Sequence, residues 1–175
     1  VVLIVDGERF PAHKAVLAAA SNVFKAMFTR EMKEKHAEEI ILSSLDPRSW
    51  RVAMQYIYTA QVDIDNEETA LLVLSSARMY QLETLEHFVE SFLISRLNVC
   101  NCFVMLGHAE RYDLVKLKEA CENTMEERFE EMAASPAFLQ CPVDLLKKLV
   151  QSGNLILKSE IAVFDAVMRW IQANE

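Results

Sequence analysis

The sequence predicts two units in series. The first is a mixed α+β unit over residues 1–97, a small sheet flanked by helices, and the second is an all-helical unit over residues 98–175. Three observations predict this. Short apolar runs set off by turn residues are confined to the part before Glu67; beyond it, apolar side chains recur at three- and four-residue spacing almost without relief. The whole chain holds only three glycines and four prolines, and just two of each lie beyond Glu67 to interrupt that second part.

The elements follow in chain order. VVLIV, then Asp6-Gly7, then ERF predicts a hairpin, because a two-residue turn of the primed type needs positive φ and Asp-Gly supplies it at little cost. Pro11 closes the second strand and helix formers begin at His13. Ser21 is placed to cap a second short helix whose apolar positions are Val23, Phe24, Met27 and Phe28. The charged segment TREMKEKHA over residues 29–37 reads as exposed, and EIILSSL over residues 39–45 as a third, buried strand. Asp46-Pro47 joins a capping residue to a proline at the first helical position and launches a helix through Tyr58. QVDID over residues 61–65 alternates like a short edge strand.

In the helical part, residues 69–82 are apolar nearly all round and predict a central buried helix, with Leu85, Phe88, Phe92 and Leu97 on one face of the next. Cys102, Met105 or Leu106, Ala109 and Tyr112 make another stripe; Leu114, Leu117, Cys121, Met125, Phe129 and Met132 make a longer one. Ser135-Pro136 and the Pro142 to Asp144 region open two short helices, and Gly153-Asn154 ends the second. Ser159 is placed to cap the last, with Val163, Phe164, Val167 and Ile171 directed inward.

Composition narrows the function. Eighteen Lys and Arg against 26 Asp and Glu give a net charge of −8, shared evenly as −4 over residues 1–97 and −4 over residues 98–175. An even acidic balance without a basic stripe does not supply the phosphate neutralisation that nucleic-acid binding needs, and it repels anionic headgroups. No uncharged window approaches the ~18 residues of a membrane span. The four cysteines are clustered in the second half without a disulfide-like framework and no signal peptide is visible, so a reducing compartment, cytosol or nucleus, is expected. The first residues lie inside an apolar run with no methionine, which suggests a longer parent protein.

Chemistry is sparse. Cys100-x-Cys102 with His108 and Cys121 is the one cluster resembling a metal set, but residues i and i+2 of a helix point to different faces and the spacing matches no zinc module; buried apolar cysteines are the better reading. Glu122, Glu126, Glu127, Glu130 and Glu131 recur at helical spacing opposite an apolar stripe, the pattern of a solvated face rather than a cation site. No nucleophile elbow, phosphate loop or dinucleotide fingerprint is present, and His13 reads as structural. No cofactor, no metal and no enzymatic activity are expected.

The order of these parts carries a resemblance. VDGERFPAHKAVLAAASNVFKAMF, TREMKEK, EIILSSL, YIYTA and SARMYQLETLEHFVESFL resemble a BTB/POZ domain. NVCNCFVMLGHAERYDLVKLKEACENTMEERFEEM and SPAFLQCPVDLLKKLVQSGNLILKSEIAVFDAVMRWI resemble the BACK domain that follows it in Kelch-like proteins, here C-terminally incomplete. The resemblance implies a substrate adaptor of a cullin-3 RING ubiquitin ligase, in the ubiquitin conjugation pathway. The BTB half would bind the cullin-3 N-terminal domain and form a homodimer in the full-length protein, and an absent C-terminal domain, of Kelch type, would take the protein substrate. It further implies a cullin contact at a hydrophobic-x-Glu motif, matched by Met32, Lys33 and Glu34, and a second at the turn Tyr58, Thr59 and Ala60. The helix pair from Asn101 through Glu110 resembles the 3-box, with Cys102, Phe103, Leu106 and Ala109 as groove residues or, alternatively, as packing within the unit. The helix that dimerises in the family precedes its first strand and is missing here. A BTB oligomerisation module of a transcriptional regulator, recruiting co-repressors, is the alternative; its members usually lack the BACK region.

Overall fold

Asp6 and Gly7 both take positive φ, 46° and 81°, and so turn the chain in two residues from β1 (Val2–Val5) into β2 (Glu8–Pro11). β1 pairs antiparallel with β2, Val2 opposite Pro11, and parallel with β3 (Glu39–Ile41), Leu3 opposite Ile40. The resulting order is β2-β1-β3. This computed structural model describes residues 1–29, 33–157, 159 and 161–174, which fall into two compact units, Val1–Phe92 and Leu93–Glu175.

In the first unit, alternate β1 residues Leu3 and Val5 point into the core, joined by Phe10 of β2 and Ile40 of β3. Helices α1 (Lys14–Ala20) and α2 (Asn22–Thr29) form the pair expected from the sequence, joined at Ser21. Ser21 accepts the Phe24 N–H at 3.2 Å and so caps α2. Asp46 caps α3 (Pro47–Thr59) by accepting the N–H groups of Arg48 at 2.8 Å and Ser49 at 3.1 Å. Burial pushes the Asp46 carboxyl up, but these bonds and the adjacent Arg48 charge outweigh it and hold the group below the usual value. Phe24, Trp50 and Tyr80 form the aromatic centre, with Phe24 stacked on Tyr80 at 4.8 Å and Trp50 tilted against Tyr80 at 5.0 Å.

Four expectations for the first part are corrected. The third strand is shorter than residues 39–45, ending at Ile41. Residues 61–65 form no strand: Val62 and Ile64 are half-buried between exposed neighbours, so the alternation reports one-sided burial, without a hydrogen-bonded neighbour among the described residues. In α4 (Glu67–Met79), Ala70, Val73, Leu74 and Ala77 are buried but Ser75 and Met79 are exposed, so the helix shows one face to the core rather than being buried all round. In α5 (Glu83–Ser95) the buried line is Leu85, Val89 and Leu93, four residues apart, whereas Phe88 is exposed.

α4 ends in a reverse turn in which the Leu82 N–H bonds the Ala77 carbonyl and the Gln81 N–H bonds the Arg78 carbonyl. The same double bond recurs after α6 (Cys102–Arg111), from Leu114 to Ala109 and from Asp113 to Glu110. The left-handed positions are Gln81 and Asp113, at φ 51° and 48°. Both turns sit in an Ala-x-x-Tyr-x-Leu-x-x-Leu pattern, residues 77–85 and 109–117.

In the second unit the predicted stripe from Leu114 to Met132 is buried throughout, although the helix beneath it breaks at Arg128 between α7 (Val115–Glu127) and α8 (Phe129–Ala134). A 3-10 turn over Pro136–Gln140 leads to α9 (Val143–Gln151), which ends before Gly153 at φ 69°. The Ser159 hydroxyl accepts the Ile161 N–H at 3.3 Å at the head of α10 (Ile161–Asn174). The inward face of α10 differs from the expected one: Ala166 is buried, while Phe164 and Ile171 are exposed. The helix is held instead by Arg169 on the Ala133 carbonyl (3.0 Å), Trp170 on the Cys141 carbonyl (2.9 Å) and Asn174 on the Leu139 carbonyl (3.0 Å).

Candidate protein-docking site

His13 precedes α1 in extended conformation, and its side chain makes no capping bond to its own helix. It turns to the end of α3 instead. The His13 N–H donates to Tyr58 Oη at 2.8 Å and His13 Nδ1 lies 3.0 Å from the same oxygen. Tyr58 remains exposed despite these two bonds. Beside it, Thr59 donates its hydroxyl to the Gln55 carbonyl at 2.7 Å and accepts the Gln61 N–H at 3.1 Å, and Ala60 takes φ 56° to end α3. The predicted turn is therefore an ordered, exposed corner.

Lys14, the next residue, faces the other candidate segment. Its Nζ donates to the Lys35 carbonyl at 2.9 Å and lies 5.6 Å from the centroid of the Phe28 ring. Lys33 and Glu34 form a 3-10 turn with Lys35; Lys33 is exposed and Glu34 half-buried. Met32 lies outside the described residues. Through His13 and Lys14, both described parts of the predicted cullin-facing surface are fastened to the first turn of α1. Nothing in local sequence spacing announced these fastenings, which join residues 45 and 21 positions apart.

Of the four predicted groove residues in the second unit, Phe103 and Leu106 line a cleft of about 360 Å³ together with Gly107, Glu110, Pro142, Asp144, Leu145 and Lys148. Cys102 and Ala109 do not: both are buried, Cys102 with its Sγ 3.3 Å from the Val99 carbonyl and 3.7 Å from Met132 Sδ. Cys102, Leu106 and Ala109 share one buried stripe, and Leu106 sits at its edge toward Phe103, Gly107 and Glu110, which face the cleft. Of the missed cleft residues, Gly107 and Glu110 lie on α6 itself, while Pro142, Asp144, Leu145 and Lys148 come from the head and body of α9, a contact between distant segments that periodicity does not reveal.

Among the described residues no group of three or more His, Cys, Asp or Glu is placed to hold a metal ion. Burial pushes the Cys121 thiol up to about 12 and the Cys141 thiol up to about 11, and also raises that of Cys102, so these sulfurs stay protonated near neutral pH. Among the described residues no helix is long and apolar enough to cross a membrane.

Comparison with known proteins agrees with this order of parts. A BTB/POZ domain family model matches residues 1–97, and a model described as BTB And C-terminal Kelch matches residues 102–175. Human Kelch-like protein 6 is 34% identical over 172 residues, 98% of this chain and 28% of that protein. Kelch-like protein 7 of Rattus norvegicus is 31% identical over 175 residues, 100% of this chain and 30% of that protein. Human Kelch repeat and BTB domain-containing protein 2 is 31% identical over 174 residues, 99% of this chain and 28% of that protein. The chain thus spans less than a third of the length of these relatives. With both halves matched in sequence and in order, it belongs to the BTB–BACK family of Kelch-like proteins.

Proposed function

We propose that this chain is the docking part of a substrate adaptor for a cullin-3 ubiquitin ligase, a non-catalytic subunit of the complex. The observation that carries the reading is the pair of surface segments, Lys33-Glu34 and Tyr58-Thr59-Ala60, that one turn of α1 holds in an otherwise unremarkable fold. An exposed tyrosine on one segment and a carboxylate on the other suit a protein partner: the ring supplies contact area at small entropic cost and the carboxylate supplies direction. The cleft at Phe103 and Leu106 is a second contact, lined by these apolar side chains together with Glu110, Asp144 and Lys148. In the full-length protein the BTB half pairs with a second copy and a further domain takes the substrate, in the cytosol or nucleus; fractionation of the tagged protein tests the compartment. The transcriptional alternative is less well supported, because the chain carries the BACK region.

Mutation of the docking segment tests the assignment. Glu34→Lys and Met32→Asp are each expected to weaken binding to the cullin-3 N-terminal domain about ten-fold or more, about 1.4 kcal/mol, with unchanged melting temperature. Normal binding by both variants would move the contact elsewhere.

A further inference from the structure

We propose that Lys14, assisted by His13, is a positioning residue for the docking surface, clamping the 3-10 turn that carries Lys33 and Glu34. The inference rests on the docking function proposed above. Phe28 precedes that turn and Lys35 ends it, and one ammonium group meets both: Lys14 Nζ lies 5.6 Å from the Phe28 ring centroid and 2.9 Å from the Lys35 carbonyl. A ring face and a carbonyl oxygen are partners that fix where a cation sits, and the ammonium has donors enough for the carbonyl while presenting its charge to the ring. Lys14 is itself half-buried.

His13 does the corresponding work at the other segment. Its main-chain N–H and its Nδ1 both meet Tyr58 Oη, so the hydroxyl is held at two points while the ring stays exposed. Because residues 13 and 14 are consecutive, the register between the two docking segments is set by a single peptide unit at the head of α1. A partner that bridges both segments then meets a surface ordered before binding, which lowers the entropic cost of association. This also accounts for a His-Lys pair at the polar end of an apolar run, where neither residue is needed for the core.

The test uses the whole chain. Lys14→Met keeps the apolar stem and removes the ammonium, and Lys14→Arg restores a cation with donors. Hydrogen exchange of the amides over residues 33–37, the Kd for the cullin-3 N-terminal domain, and the melting temperature are measured for each. Lys14→Met is expected to speed exchange over residues 33–37 and to weaken binding about ten-fold, and Lys14→Arg is expected to restore both. Added to Glu34→Lys, Lys14→Met is expected to cost little more, because the two act through one segment. Unchanged exchange and Kd in Lys14→Met, whatever its melting temperature, would overturn the clamp and leave the adaptor function standing. Absence of binding by the folded wild-type chain would overturn both. If Lys14→Met does not fold, Lys14→Gln replaces it under the same criteria.

Discussion

Ser21 is 2% exposed and its hydroxyl is engaged on both sides, accepting the Phe24 N–H and donating to the Tyr80 carbonyl at 2.5 Å. The first bond was legible in the sequence as a helix cap. The second was not, because it spans 59 residues and depends on α4 ending against α2. Ser21→Ala removes a cap and leaves a buried carbonyl short of a donor, with an expected cost of about 1–3 kcal/mol in denaturant unfolding; a cost near zero would show that the Tyr80 carbonyl finds another partner. Three of the cysteines give a prediction of opposite pH sense to a carboxylate. Their thiols are raised in the folded chain, Cys121 to about 12 and Cys141 to about 11, from an ordinary value of 9.0. Between those limits the folded state binds more protons than the unfolded state, so their contribution is fully present below pH 9 and is lost as pH rises toward 12. A thiol reagent at pH 8 is accordingly expected to label exposed Cys100 alone in the folded protein and all four cysteines after unfolding; rapid labelling of Cys121 in the native chain would contradict its burial.

At the scale of elements, helices were legible where apolar spacing is regular and caps are polar, as at Asp46 and Ser159. Helix ends were harder to place. The break between α4 and α5 carries no glycine: its left-handed position is Gln81, and the sequence reading runs the first helix to residue 82, past its observed end at Met79. The structure shows instead that Leu82 and Leu114 stop their helices by burying side chains while their N–H groups return to Ala77 and Ala109. Gln81→Val, with a β-branched residue at φ 51°, is expected to cost about 1–2 kcal/mol, whereas Gln81→Gly is expected to be neutral or to stabilise by up to about 1 kcal/mol. A chemical denaturation series distinguishes them, and equal stabilities for Val and Gly would mean the turn relaxes. The 61–65 segment and α10 teach a related lesson. Periodicity records which side chains are sheltered, and it does not record whether a neighbouring strand exists or which groove receives a helix.

At the scale of the whole chain, the acidic charge is even, and the chemistry that would support catalysis is sparse in the sequence. What was legible was the order of parts, a small sheet with paired helices followed by a helical run, and both family matches follow that order. The proposed docking surface was only half legible. The motif positions came from family resemblance, while the residues that hold them, His13 and Lys14, emerge only when α1, α3 and the 3-10 turn are brought together. The proposed adaptor function therefore turns on one interaction. Calorimetric titration of the folded wild-type chain with the cullin-3 N-terminal domain measures it most directly: saturable binding with one cullin domain per chain is predicted, and the absence of binding by a chain that melts cooperatively would contradict it.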